Sequence, residues 1–166
     1  EVDYYIPGCP PTAQLLGQAT QAILAGELPP KGSVLSPNRS LCSSCERNES
    51  KPDNVYIEEI KRVVDTIVDD KTCFLSQGII CMGPATRDGC GESCINGNMP
   101  CTGCFGPTDN CKDQGAKMIA TLGGLIKGED EETVARAIEG LVDPAGTFYR
   151  YGMSSSLLGS LREEND

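Results

Sequence analysis

Cysteine is the residue type that most constrains what this chain can fold into. The 166 residues include ten cysteines, and eight of them lie between Cys42 and Cys104. From Cys73 to Cys104 the sequence has no sustained helical or strand periodicity, so regular secondary structure alone cannot order the backbone there. Glycine or proline stands directly beside Cys90, Cys101 and Cys104, which favours tight turns there. Order in this region is therefore expected to come from crosslinks or from bound metal.

The composition predicts a modest polypeptide core and excludes some partners. Aromatic residues make up only 5% of the chain, and 19 glycines and 11 prolines indicate much loop. The net charge of −10 argues against nucleic acid, whose phosphates are bound mainly by an excess of lysine and arginine. No run approaches the roughly 20 apolar residues of a membrane span. The amino terminus lacks the pattern of a signal peptide, so we expect a soluble cytoplasmic protein, in which clustered cysteines indicate metal or redox chemistry.

Hydrophobic periodicity predicts four helices separated by irregular chain. Their expected positions are between Thr12 and Gly26, from Pro52–Asp53 to Ile67, from Asp113 to Lys127, and from Glu131 to Leu141. Thr12 and Asp130 are suited to cap the first and last of these helices. Residues 2–6 predict a short strand that ends a larger unit, and the chain from Gly146 onward, including the charged residues Arg162–Asp166, is expected to be irregular.

The spacing of the eight clustered cysteines suits two [4Fe–4S] clusters. Such a cluster needs four thiolates, and short C-x2-C or C-x3-C steps can supply neighbouring corners of the cage. The first thiol set consists of Cys42, Cys45, Cys73 and Cys81. The second thiol set consists of Cys90, Cys94, Cys101 and Cys104. Adjacent glycines leave backbone N–H groups free to donate hydrogen bonds to cluster sulfurs.

Spacing alone leaves two alternatives open. Two C-x2-C pairs can also form a zinc site of four thiolates, and the absence of histidine removes only the mixed Cys/His kind. A disulfide scaffold fits the even count, although such scaffolds are usually shorter and secreted. Cys111 is interpreted as a small buried hydrophobe. Cys9, held in Pro-Gly-Cys-Pro-Pro, exposes its thiol at the end of a strand and could bind metal only with ligands from elsewhere.

Several ordered motifs together resemble the small, electron-transferring subunit of [NiFe] hydrogenases. These motifs are Pro7–Pro11, Leu41–Cys45, Cys81–Thr86, Pro100–Pro107, Asp113–Met118 and Gly146–Tyr149. They extend beyond the cysteines and cover nearly the whole chain. The closest similarity is to the cytoplasmic group that includes the F420-non-reducing, or methyl-viologen-reducing, hydrogenase associated with heterodisulfide reductase.

This resemblance implies an α-plus-irregular fold, in which short helices and loops wrap around iron–sulfur clusters after a flavodoxin-like α/β domain that is absent here. Residues 1–30 would end that domain, residues 31–112 would hold two clusters, and residues 113–166 would form carboxyl-terminal helices and a tail. The first thiol set would hold the distal cluster and the second thiol set the medial one. In respiratory relatives a histidine occupies the place of Cys42, and the place of Cys94 can lack a cysteine. Because both positions are cysteine in this chain, two four-iron clusters are expected. Cys9 would be one ligand of a third, proximal cluster whose other ligands lie outside this chain.

The resemblance also implies a function in methanogenesis as a non-catalytic hydrogenase subunit. Electrons would pass between the Ni–Fe large subunit and an iron–sulfur or flavin acceptor subunit of the heterodisulfide reductase type. The acidic surface would disfavour electron uptake slightly and steer partners. The alternatives are the small subunit of an NAD(P)-linked bidirectional [NiFe] hydrogenase, a free-standing ferredoxin-like carrier, and an interaction module stabilised by zinc on four cysteines.

Overall fold

The computed structural model describes residues 2–128 and 130–160, so the predicted charged tail Arg162–Asp166 lies outside the described residues. The described chain is α-rich with few strands, and much of it is irregular. The helices are α1 Ala13–Ala25, α2 Ser93–Asn96, α3 Gln114–Leu125, α4 Glu131–Ile138, α5 Pro144–Phe148 and α6 Leu157–Ser160. The strands β1 Tyr4–Tyr5 and β2 Ser33–Val34 pair in parallel, with Tyr4 opposite Ser33. The strand predicted near the amino terminus is therefore present, but it pairs within the chain.

The first predicted helix is confirmed at both ends. The Thr12 hydroxyl accepts a hydrogen bond from the Leu15 N–H at 3.2 Å, which satisfies a donor that the helix itself leaves free. Gly26 ends α1 in the left-handed conformation, with φ of 70°, where a side chain would be strained. Within α1 only Leu15 and Ala19 are buried, whereas Leu24 is 83% exposed. Most of this helix therefore faces away from the core.

The helices near the carboxyl terminus also begin where aspartate caps them. The side chains of Asp113 and Asp130 accept hydrogen bonds at 2.8 Å from the third residue of α3 and α4, respectively. α4 ends at Ile138, slightly before the predicted Leu141. The prediction of an irregular tail was wrong in part, because α5 and α6 form there. Asp143 followed by Pro144 starts α5, and this pairing of a capping residue with proline at the first helical position is a signal that sequence reasoning missed.

The helix predicted from Pro52–Asp53 to Ile67 was wrong. The backbone N–H groups of Ile57 and Ile60 donate instead to the carbonyls of Leu125 and Ala137, at 2.7 and 2.8 Å. Because other segments take these donors, residues 52–67 form bends, isolated bridges and the 3-10 turn Val63–Asp65 in place of an α-helix, and Ile57 and Ile60 are buried beside α3 and α4. Val64 and Ile67, which the helical pattern placed on the apolar face, are 76% and 101% exposed. Several residues of this segment are β-branched, which favours extended backbone over helix.

The core is formed largely by the cysteine-rich segment itself. The residues there that are at most 2% exposed include Leu41, Phe74, Ile79, Met82 and Ala85, with Met118 from α3. α3 lies against the 3-10 turn Gly83–Ala85 and against α5. Close approach of α5 depends on Gly115, because a Cβ atom there would lie 2.5 Å from the ring of Tyr149. Loops and one helix thus enclose the thiols.

Contacts between distant parts of the sequence hold this region closed. Arg87 is 1% exposed and donates to the carbonyls of Pro107, at 3.1 Å, and Ser36, at 3.3 Å. Its guanidinium also pairs with Asp109, whose backbone N–H donates to the Asn38 side chain at 2.9 Å. Residues 36–38, 87 and 107–109 are therefore tied together. Among the helices within residues 2–128 and 130–160, none has the length and apolar character to cross a membrane.

Candidate metal centres

The first thiol set comes together around Cys42. Burial raises the pKa of the Cys42 thiol, the nearby Lys51 lowers it, and the neighbouring thiols Cys73 and Cys45 raise it further. A Cβ atom at Gly83 would lie 3.2 Å from the Cys42 sulfur and 3.6 Å from the Cys81 sulfur, so both sulfurs face the same small space above this glycine. Burial raises the pKa of Cys81 to about 12. All four members of the set thus lie near Cys42.

The second thiol set comes together around Cys104 in the same way. Burial raises the pKa of Cys101 to about 11, and the neighbouring Cys90 and Cys104 add to this effect. Burial is also the main cause of the raised pKa of Cys104, which Cys94 reinforces. Cys94, in α2, is exposed, whereas Cys101 is 8% exposed. This set is therefore shielded from water on one side only.

The two sets are neighbours through Cys81 and Cys101. Cys101 is near enough to Cys81 to raise its pKa further, and the N–H of Met82 donates to the Cys101 carbonyl at 2.9 Å. The Thr86 hydroxyl, 1% exposed, lies 3.6 Å from the Cys101 sulfur and accepts a 3.2 Å hydrogen bond from the Gln114 side-chain amide. Sequence reasoning gave no role to Thr86 or Gln114, because only the tertiary contact reveals that they support a thiol.

Cys9 lies beside Cys104 of the second thiol set. Its backbone N–H donates to the sulfur of Cys104, and its own thiol raises the pKa of Cys104 slightly. The Cys9 side chain is exposed, as its sequence context predicts. Cys111 is partly buried, and its S–H lies 3.4 Å from the Asp113 carbonyl. Cys111 is thus satisfied within the loop that leads into α3.

The cysteine thiols are suited to bind metal ions that prefer several sulfur ligands. All ten cysteines are free thiols. Among the described residues, no group of three or more cysteine, aspartate or glutamate side chains is gathered tightly enough to hold one metal ion. The four thiolates of a [4Fe–4S] cluster bind four different iron atoms, so such a cluster does not require them to meet at one point. Buried thiols with raised pKa values are uncharged without metal, and a cation that binds them must displace their protons.

Comparison with known proteins identifies the family. No protein-family model matches the chain. The chain is 38% identical over 161 residues to a subunit of the F420-non-reducing hydrogenase of Methanothermobacter thermautotrophicus, a match that covers 95% of this chain and 50% of that protein. It is 34% identical over 160 residues to the iron-sulfur subunit of the F420-non-reducing hydrogenase of Archaeoglobus profundus, covering 95% of this chain and 49% of that protein. The chain thus spans about half the length of these two curated relatives.

A third relative is matched over most of its own length. The corresponding F420-non-reducing hydrogenase protein of Methanothermus fervidus is 41% identical over 117 residues, which are 69% of this chain and 91% of that protein. The resemblance that the motifs indicated is thus confirmed by identity across the cysteine-rich region and its flanks. The chain belongs to the family of F420-non-reducing hydrogenase subunits that these three relatives represent.

Proposed function

We propose that this chain is the electron-relay part of a [NiFe] hydrogenase and holds two [4Fe–4S] clusters. The first thiol set holds the distal cluster and the second thiol set holds the medial one. When bound, such clusters accept and release single electrons without bond chemistry in the chain itself. The observation that carries the proposal is the order of the thiols in space. The first set adjoins the second at Cys81 and Cys101, where the N–H of Met82 donates to the Cys101 carbonyl at 2.9 Å, and Cys9 lies beside Cys104 of the second set.

The protein around the thiols is suited to control reduction potentials. Backbone N–H groups of Gly83 and Cys101 donate to the Cys81 sulfur, and the N–H of Gly103 donates to the Cys101 sulfur. Hydrogen bonds to cluster ligands stabilise negative charge and so favour the reduced form. Burial of Cys81 and Cys101 keeps water from the side where the two sets meet. The name of the Archaeoglobus profundus relative, an iron-sulfur subunit, supports the same assignment.

The row of thiols also gives the relay two ends. At one end, Cys9 serves as a ligand of a proximal [4Fe–4S] cluster completed by residues outside this chain, next to the large subunit where hydrogen is split. At the other end, the first thiol set faces an acceptor protein, an iron–sulfur or flavin subunit of the heterodisulfide reductase type. The names of the relatives, which are subunits of F420-non-reducing hydrogenases, support a place in such a complex.

The experiment is anaerobic analysis of iron, acid-labile sulfide, zinc and nickel in the purified assembly, with EPR of the reduced sample. About eight iron and eight sulfide per copy are expected for the two thiol sets, beyond the content of companion subunits. Nickel in the same assembly is expected if the large subunit copurifies. Zinc bound in place of iron, without sulfide, would contradict the relay and leave a structural zinc module.

A further inference from the structure

Arg47 is a buried cation with an unusual set of partners. Its side chain is inside the protein, with the whole residue 6% exposed. One guanidinium nitrogen donates to the carbonyls of Asp69, at 2.9 Å, and Thr72, at 3.2 Å. The other donates to the Asn98 side-chain oxygen, at 2.9 Å, and reaches the Ile95 carbonyl at 3.4 Å. All of these acceptors are neutral oxygens.

No carboxylate forms an ion pair with Arg47 among the described residues. Ion pairs there join other residues, such as Arg39 with Asp88 and Lys127 with Glu58. Hydrogen bonds from Thr72 and from the Lys71 N–H hold the pKa of the Asp69 carboxylate below its usual range, and the charge of Arg47 contributes less to this than they do. A buried charge without a partner is unfavourable. We therefore expect negative charge from another group to balance the charge of Arg47.

The groups that Arg47 contacts stand next to thiols of both sets. Arg47 itself follows Cys45 by two residues, and its Thr72 acceptor precedes Cys73. The guanidinium also lies over the ring of Phe74, 4.3 Å from the ring centre, on the other side of Cys73 in sequence. Its Ile95 acceptor directly follows Cys94 of the second set. Two of these neighbouring thiols belong to the first set and one to the second.

We propose that Arg47 is a positioning residue that balances the negative charge of the cluster at the first thiol set and ties the loop around Cys73 to the loop around Cys94. This inference rests on the proposed function. Four thiolates around a [4Fe–4S] core carry net negative charge, and net charge is one determinant of its potential. A fixed positive charge in a weakly polar interior stabilises the form with the additional electron. Arg47 therefore raises the potential of the cluster at the first thiol set, and that of its neighbour by less.

The test is EPR-monitored redox titration of the assembled subunit carrying Arg47→Met, Arg47→Lys or Asn98→Asp. Met removes the charge and keeps much of the volume, so the one-electron equilibrium of one cluster is expected to shift about tenfold toward oxidation, ~59 mV lower. Lys keeps the charge and should retain most of the original potential. The carboxylate that Asn98→Asp introduces would lie against the guanidinium and neutralise it without removing it, so N98D should also lower the potential.

Iron and sulfide analysis of each variant separates the possible outcomes. Arg136→Met, which removes an exposed arginine on α4, is the matched control and should leave both potentials unchanged because solvent screens its charge. If the Met variant does not fold, the N98D measurement decides the question, since aspartate tolerates the left-handed backbone of Asn98. Full iron content with unchanged potentials in R47M or N98D would overturn the role of Arg47. Absence of iron and sulfide from the unaltered subunit would instead overturn the proposed function.

Discussion

Helix α1 is regular but mostly exposed, whereas residues 79–88 are irregular but mostly buried. α1 has thirteen residues in regular helix, yet only two of them are buried. In Ile79–Asp88 the regular structure is limited to one 3-10 turn, yet eight of its ten residues are buried. A helix satisfies its own backbone and can stand at the edge of a core. An irregular segment has to find hydrogen-bond partners elsewhere, and here it finds them around the thiols. Burial is therefore high where the sequence periodicity is weakest.

The largest effect that would test this comparison is expected from removing one of the proposed cluster ligands. Cys90→Ala should lower the iron content by about four atoms per chain and block electron transfer to the natural acceptor. Cys111→Ala is the control, because this thiol bonds only near the start of α3 and should leave iron content unchanged. Iron analysis with EPR measures both variants. Equal loss from the two would contradict the assignment of Cys111 as a residue outside the clusters.

A large effect on stability is expected from Phe74 and almost none from Ile23. Phe74 is 2% exposed beside Cys73, and Phe74→Ala should reduce the free energy of unfolding by about 3–5 kcal/mol. Ile23 is 54% exposed on α1, and Ile23→Ala should change it by less than about 0.5 kcal/mol. Anaerobic thermal or denaturant unfolding followed by circular dichroism measures the difference. Similar losses would show that the exposed face of α1 is buried in the assembly under study.

Replacing each of two glycines with alanine is expected to change the stability by smaller amounts and in opposite directions. In Gly83→Ala the new methyl group would press on the Cys42 sulfur at 3.2 Å, and we expect a loss of about 1–3 kcal/mol in stability. In Gly17→Ala nothing lies within 4 Å of the added atom, and the helix should gain about 0.5–1 kcal/mol. Unfolding curves of the two variants check the signs. A neutral result for Gly83→Ala would mean that the space above Gly83 is wider than the structure describes.

The smallest effect is expected from the acidic surface. Glu46→Gln and Glu49→Gln remove exposed charges close to Cys45, and together they should raise the potential of the nearest cluster by less than R47M lowers it. Glu27→Gln, next to α1, is the control and should leave both potentials as they are. Redox titration at low and high salt measures the shifts, and stopped-flow mixing with the acceptor measures association. If all three variants matched the unaltered protein at low salt, the acidic surface would play no part in either property.

Local signals predicted the parts of the fold in which the chain interacts mainly with itself. Thr12 and Asp130 could be identified because a cap bonds to a residue three positions away. The helix expected over Pro52–Ile67 failed because its backbone partners, in Gly78, Leu125 and Ala137, are distant in sequence. Ile57 and Ile60 are three residues apart, as buried residues on one face of a helix would be. The same spacing also arises when a non-helical chain contacts α3 with one isoleucine and α4 with the other. Periodicity cannot separate these cases.

The candidate site was predicted only at the level of residue type and spacing. Short steps such as Cys42-x2-Cys45 identify thiols that can act together, and the division into two sets remains a prediction until metal is measured. Spacing carries no information about the side chains that surround the sulfurs. Arg47, Thr86 and Gln114 are not part of the cysteine motifs. They come to the sites through contacts between residues that are 15 to 51 positions apart in the sequence. Such residues become visible only in three dimensions.

The tie between Asn38, Arg87 and Asp109 bears on the order in which the protein is made. The hydrogen bond from Asp109 to Asn38 spans 71 residues, so on a growing chain it cannot form until all eight clustered cysteines have emerged from the ribosome. At roughly 5–20 residues per second, this interval lasts several seconds. Cys81 and Cys101 emerge 28 and eight residues before Asp109, so each precedes the tie by only about 1–6 and 0.4–2 seconds, respectively. These two thiols are therefore accessible on the growing chain before the tie can form, whereas both are buried in the folded protein.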